Sequence, residues 1–129
     1  MKRELVYPEL SYKINGLLFK VHNNLGKYCN EKQHGDLFER KLKENNIKYE
    51  REKILPEFFM GEKNGRNRID FLIKNKIILE LKCKRIIDRS DFYQTKRYLV
   101  ALNKRLSLLV NFNVKYLSPK RVLNPNCKD

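Results

Sequence analysis

Leu10, Ile14, Leu17, Leu18, Val21 and Leu25 recur at spacings of 4, 3, 1, 3 and 4, which gathers them on one stripe of a helix. Pro8 suits its first turn, where a missing N–H is tolerated, and Gly26 suits its exit. A second helix opens at Asn30 as N-cap, with Gln33 three positions on as in a capping box, and runs to Asn45-Asn46. Its inward face carries Glu31, His34, Phe38 and Leu42. A carboxylate at the head of an apolar face either caps the helix or does chemistry. From residue 47 the pattern changes to short β-type runs over 47–55, 57–60, 66–73 and 76–82. Pro56 divides the first two, Gly61-Glu62-Lys63-Asn64-Gly65 makes a hairpin loop, and Lys74-Asn75 is a two-residue turn. An antiparallel meander is predicted. Helical spacing returns over 88–105, with Phe92, Thr95, Leu99 and Leu102 on one face, then 106–112 reads as a buried strand and 121–123 as a last short one.

The predicted fold class is therefore α/β: a mixed central sheet, meander plus a parallel strand after a helical crossover, flanked by helices. Residues 1–129 form a single domain with a core from about 7 to 124, and only the first few residues and 125–129 are loose ends. No internal repeat or low-complexity tract is present.

Charge narrows the partner. The 129 residues hold 29 Lys and Arg against 15 Asp and Glu, a formal net charge of +14. Repulsion among these charges is relieved by a polyanion that releases counterions on binding, so nucleic acid leads and an anionic membrane surface is second. Cys29, Cys83 and Cys127 are odd in number and contain no CxxC pair, which argues for a reducing cytoplasm and against a disulfide framework or structural zinc. The N-terminal charges precede no apolar run, and the longest aliphatic stretch is Leu99-Val100-Ala101-Leu102, so neither a signal peptide nor a membrane span is expected.

The chemistry concentrates on the two strands joined by Lys74-Asn75. Side chains alternate along a strand, so Ile78, Glu80 and Lys82 share one face while Ile77, Leu79 and Leu81 share the other. The tight turn places Asp70 on the strand beside Glu80, where the two carboxylates converge on one cation. Mg²⁺ suits such a pair, because it keeps waters and takes only one or two protein carboxylates. Lys82 then lies within reach of a metal-bound water and of charge developing on a phosphate. Glu-x-Lys is common in so charged a chain, and Glu39-Arg40-Lys41 reads as a solvated helix face. Glu80 differs because it ends the apolar run Ile77-Ile78-Leu79.

Asp70 and Glu80-Leu81-Lys82, after a helix bearing Glu31 and before a helix bearing Gln94, resemble the PD-(D/E)XK nuclease superfamily. More narrowly, the chain resembles its GxxExxY group from about Tyr7 to Asn124. The carrying segments are Tyr7-Pro8-Glu9-Leu10-Ser11-Tyr12-Lys13, His22-Asn23-Asn24-Leu25-Gly26, Arg68-Ile69-Asp70-Phe71-Leu72-Ile73, Ile78-Leu79-Glu80-Leu81-Lys82 and Leu109-Val110-Asn111-Phe112. The resemblance implies a restriction-endonuclease-like fold, Glu31, Asp70 and Glu80 as metal-binding acids, Lys82 as catalytic lysine, and Mg²⁺ with Mn²⁺ as substitute. Three positions depart from the pattern: Tyr28 replaces the signature glycine, His34 the signature tyrosine and Ile69 the proline of the superfamily name. Gln94 and Tyr98, four apart on one helix face, look like the Gln-x-x-x-Tyr element of RecB-like nucleases.

Residues 82–105 contribute Lys82, Lys84, Arg85, Arg89, Lys96, Arg97, Lys104 and Arg105 against Asp88 and Asp91, a helix suited to tracking phosphates. Lys84, Arg85, Arg89, Lys96, Arg97 and Tyr98 are the expected nucleic-acid contacts. Cys29 and His34 are too poorly supplied with an oxyanion donor to make a nucleophile and base, and His22 is expected to be structural. The expected function is a Mg²⁺-dependent deoxyribonuclease in DNA repair, recombination or defence, with a homodimer as an expectation from small superfamily members. The competing readings are a non-catalytic nucleic-acid-binding module on the same fold and a basic RNA-associated protein.

Overall fold

In the computed structural model, which describes residues 5–127, eight elements follow the order α1 (Pro8–Leu25), α2 (Glu31–Glu44), β1 (Tyr49–Ile54), β2 (Arg68–Ile73), β3 (Ile77–Lys82), α3 (Arg89–Leu102), β4 (Leu106–Asn111) and β5 (Lys120–Leu123). The sheet has the order β1-β2-β3-β4-β5, antiparallel throughout except for the parallel β3–β4 pair that α3 connects. The expected α/β architecture is observed.

Local chemistry explains the joints. Pro8 occupies the start of α1, and Gly26 ends it at φ 68° with its N–H bonded to the His22 carbonyl. The capping box of α2 is complete: Gln33 N–H donates to Asn30 Oδ1, and Asn30 N–H donates to Gln33 Oε1, both at 2.8 Å. Lys74 and Asn75 take φ values of 52° and 56°, the left-handed pair that a tight turn between twisted strands requires. Asp88 and Asp91 cap α3 in the same reciprocal way as Asn30 and Gln33 cap α2.

Two apolar layers sandwich the sheet. Ile14, Leu18, Phe38 and Leu42 of α1 and α2 pack on Phe71, Ile73, Leu79 and Leu81. On the opposite face, Tyr98 and Leu99 of α3 pack on Ile69, Leu72, Ile78 and Leu109. The alternation along β3 thus sends Ile78 toward α3 and Ile77, Leu79 and Leu81 toward α1 and α2, as the strand period requires.

Two expectations are corrected. Residues 57–60 form no strand. Pro56 has no N–H to give a ladder, the Phe58 N–H is taken by Glu62 Oε1 at 2.8 Å, and the Phe59 carbonyl receives Glu62 N–H at 3.1 Å in a turn. Residues 125–127 are not loose: Cys127 is buried, and its thiol donates to the Asn103 carbonyl at 3.3 Å. The remaining expected loose ends, residues 1–4 and 128–129, lie outside the described residues.

Candidate active site

The β2–β3 ladder runs from Ile73↔Ile77 to Phe71↔Leu79. One step further, Asp70 stands opposite Glu80, and the pairing changes character. Leu81 N–H donates to Asp70 Oδ2 at 2.7 Å. A side-chain oxygen here takes the place of a ladder carbonyl as acceptor, so the Asp70 carboxyl is held at the end of the ladder by the strand beside it. On the other side of β2, Arg51↔Phe71 and Lys53↔Ile69 flank the position opposite Asp70, which belongs to Glu52 at φ 52°. A left-handed glutamate inside a strand is a strained backbone.

Among the described residues Glu80 is the most buried acid. It is only 4% exposed, and its Oε1 has no hydrogen-bond partner. Burial drives its pKa well above the ordinary glutamate range, the Asp70 charge pushes the same way, and Lys82 opposes both. Asp70 is likewise raised, first by lost hydration, with the Leu81 hydrogen bond and Lys82 lowering it. Glu31, on the exposed first turn of α2, is raised by partial burial of its carboxyl and then by Asp70, and lowered by Lys82. Three acids from α2, β2 and β3 therefore share one field with one lysine.

A hard cation fits this donor set. Two carboxylates too poorly hydrated to hold their charges, one with an orphaned buried oxygen, gain what they lack from a divalent ion. The geometry limits the set: among the described residues no three His, Cys, Asp or Glu side chains gather into a metal-binding group. Asp70 and Glu80 are the neighbouring pair, and Glu31 is coupled to them without completing a three-carboxylate cage.

A cleft of about 540 Å³ opens beside Asp70 on the α2 side of the sheet, lined by Glu31, Gly35, Arg51, Glu52, Asp70 and Leu81 among others; Glu80 and Lys82 are not among its lining residues. Sequence reasoning missed its rim. Arg51 Nη1 pairs with Asp36 at 2.7 Å and Glu39 at 2.9 Å, and Tyr49 donates its hydroxyl to Glu39 Oε2 at 2.6 Å. Tyr49 is pushed up to about 12 by burial and by Glu39, which itself is held below the usual range, chiefly by that hydroxyl. Gly35 makes room: a Cβ there would lie 2.7 Å from the Arg51 guanidinium. The only cue in the sequence was a glycine inside a helix.

The α3 wall brings Tyr98 to the carboxylates. Its ring is buried, and its phenol is raised by burial and then by the Glu80 charge. Gln94, one turn earlier, is half-buried. Arg85, Arg89, Lys96 and Arg97 are exposed, whereas Lys84 Nζ is turned onto buried Asp91 at 2.9 Å. The Asn111 side chain further clasps the Lys84 backbone, accepting from its N–H at 3.1 Å and donating to its carbonyl at 2.7 Å. Lys84 thus secures the β3–α3 connection.

His34 is buried against Phe112, and its ring nitrogens lie 2.9 Å from the carbonyls of Asn30 and Gly26. Both ring nitrogens thus face carbonyls of the α1–α2 connection. Cys83, 3.5 Å from His34 Nδ1, has its thiol pushed up to about 11 by burial, Glu31 and Cys29. His22 contacts the Val114 carbonyl at 2.8 Å and is structural.

No described helix is long and apolar enough to cross a membrane. Searches of curated proteins and of solved structures return no match. The family model described as the PD-(D/E)XK nuclease superfamily matches residues 8–122, from the first turn of α1 into β5. With Asp70, Glu80 and Lys82 on adjoining strands inside that span, the chain belongs to the PD-(D/E)XK nuclease superfamily.

Proposed function

We propose that this protein is a Mg²⁺-dependent nuclease of the GxxExxY type that hydrolyses DNA phosphodiester bonds by direct attack of water, with Mn²⁺ able to substitute. One observation carries the reading: a glutamate buried beside an aspartate with an oxygen left unpartnered. A structural carboxylate would be neutralised by a paired cation or a full set of hydrogen bonds; this one has neither. Asp70 and Glu80 would hold the metal, and Glu31 would act through its waters. Bound there, a divalent ion supplies a water of lowered pKa and neutralises charge at the phosphate.

The chain's own groups supply the rest. Lys82 follows Glu80 by two residues, so it projects from the same face of β3, and its field already reaches Glu31, Asp70 and Glu80. Its ammonium orients the attacking water and stabilises negative charge growing on the phosphate. Tyr98 shields Glu80 from bulk water, and Gln94, one turn earlier on α3, touches the nucleic acid or Lys82. Arg85, Arg89, Lys96 and Arg97 bind phosphates without reading bases. By family analogy the products carry 5′-phosphate and 3′-hydroxyl ends. Three cysteines with no disulfide among them suit a reducing cytoplasm.

The test is a panel of labelled duplex, single-stranded, flap and four-way DNA incubated with Mg²⁺. Wild type is expected to cleave at least one substrate and to stop in EDTA, and Glu80→Ala to bind without cleaving. Wild-type binding without cleavage of any substrate would leave a non-catalytic nucleic-acid-binding module instead.

A further inference from the structure

The outer face of α3 carries a second feature that the carboxylate site does not use. Tyr93, Lys96, Arg97, Val100 and Ala101, spaced 3, 1, 3 and 1, form a stripe turned away from the core, and Phe58 from the β1–β2 loop borders it. Together they line a groove of about 590 Å³ with almost wholly apolar walls. The neighbouring loop residues Phe59 and Met60 are 62% and 95% exposed, and Tyr93 is 57% exposed. This concentration of exposed aromatic and aliphatic surface is the kind that marks a binding site.

Three observations identify the occupant. The groove contains no acid, while Lys96 and Arg97 line it and are exposed, and side chains of this kind cover apolar surface with their stems while keeping their charged heads in water. A second copy of the chain seated symmetrically on this stripe would set like charges against one another, and each copy already carries +14. The groove also adjoins the candidate active site, since the Phe58 ring lies 6.4 Å from the ring of Tyr98, the side chain next to Glu80. Flat rings between basic side chains are how proteins hold nucleic acid whose bases are free to stack, because a base in a closed duplex offers no exposed face.

We propose that this groove holds unpaired bases of a single DNA strand, stacked on Tyr93 and Phe58, with the flanking phosphates on Lys96 and Arg97. The substrate would then be a single strand, or a duplex with a frayed or overhanging end, whose backbone runs from the groove over Tyr98 to the carboxylates. This rests on the nucleic-acid reading above and adds the form of the substrate.

The experiment measures binding in EDTA, where no cleavage occurs, using labelled oligothymidylate of about 12 nucleotides and a blunt duplex of similar length. Tyr93→Ala and Phe58→Ala are each expected to weaken single-strand binding about 5- to 150-fold, the loss of one stacking platform, while duplex binding changes by less than about twofold. Tyr93→Trp should keep wild-type affinity, and the exposed position of Tyr93 leaves thermal stability unmoved. Equal weakening on both probes, or none on either, overturns the proposal. So does sedimentation showing a wild-type dimer that Tyr93→Ala dissociates, because a second copy would then cover the groove. Binding in EDTA needs neither metal nor turnover, so a wild type that stacks single strands but never cleaves contradicts only the nuclease reading. A wild type that cleaves while Tyr93→Ala binds normally contradicts only this one.

Discussion

Replacing Glu80 with glutamine should make the metal-free protein more stable while destroying its activity. Glu80 is 4% exposed, with Oε1 unpartnered and the Asp70 charge beside it, so its carboxylate is destabilising as long as no cation is bound. A buried polar group without its partner costs about 1–3 kcal/mol. Glutamine keeps the volume, removes the charge and brings an amide that can donate to Asp70. With an unfolding entropy of about 2.1 cal/mol/K per residue over 129 residues, relief of that penalty raises Tm by about 4–11 °C. The assay is thermal denaturation at neutral pH in EDTA, repeated with Mg²⁺. A cation at about 100 times its dissociation constant stabilises the wild type by about 2.7 kcal/mol and leaves Glu80→Gln unmoved, which closes the gap. A variant that melts below wild type in EDTA, or that responds to Mg²⁺ as wild type does, would refute the claim that Glu80 is held for a cation.

Other outcomes follow from the same geometry. Lys82→Ala should lower the metal-saturated rate of DNA cleavage about 10²- to 10³-fold, with Mg²⁺ affinity changed only slightly, and a tenfold affinity loss at unchanged rate would contradict its role toward the attacking water. DNA affinity should fall steeply with salt, and Lys96→Ala or Arg97→Ala should each reduce the logarithmic slope by about 0.9 on duplex or about 0.7 on single strands. If those slopes hold while charge removal at Lys41 or Lys43 flattens them, the strand runs over the other face. Tyr49→Phe should cost about 1 kcal/mol at neutral pH. Glu39 is held below its ordinary pKa by that hydroxyl, so the contribution is present above the unfolded value of about 4.3 and lost as pH falls through the lower folded value; a Tyr49→Phe deficit in Tm that persists unchanged below about pH 3 would contradict this.

The parts of the fold legible in the sequence were those set by local chemistry. The capping box at Asn30 and Gln33 and the Pro8 and Gly26 ends of α1 are each decided within a few residues and observed, and the turn falls at Lys74-Asn75 but takes in Lys76 as well, because the ladder pairs Ile73 with Ile77. The alternation that puts Glu80 and Lys82 together needed only the strand period and that turn. The run at 57–60 misled because Phe58, Phe59 and Met60 have strand-like composition, whereas a strand also needs a ladder partner that Pro56 and the Glu62 side chain deny. The cleft rim was illegible for a different reason. Arg51 meets Asp36 and Glu39 across 15 and 12 positions of chain, and nothing local in either segment announces the other. The Lys84–Asp91 pair was illegible for the same reason, because it depends on how the β3–α3 connection folds over Asn111.

Calorimetric titration of Mn²⁺ into wild type, Asp70→Ala and Glu80→Ala tests the central claim most directly, because it asks whether the two carboxylates hold a cation without requiring a substrate or turnover. The account predicts saturable binding to wild type that both substitutions abolish, in proteins that remain folded and still bind DNA in EDTA. Absence of binding to wild type, or binding that survives the loss of either carboxylate, would contradict it.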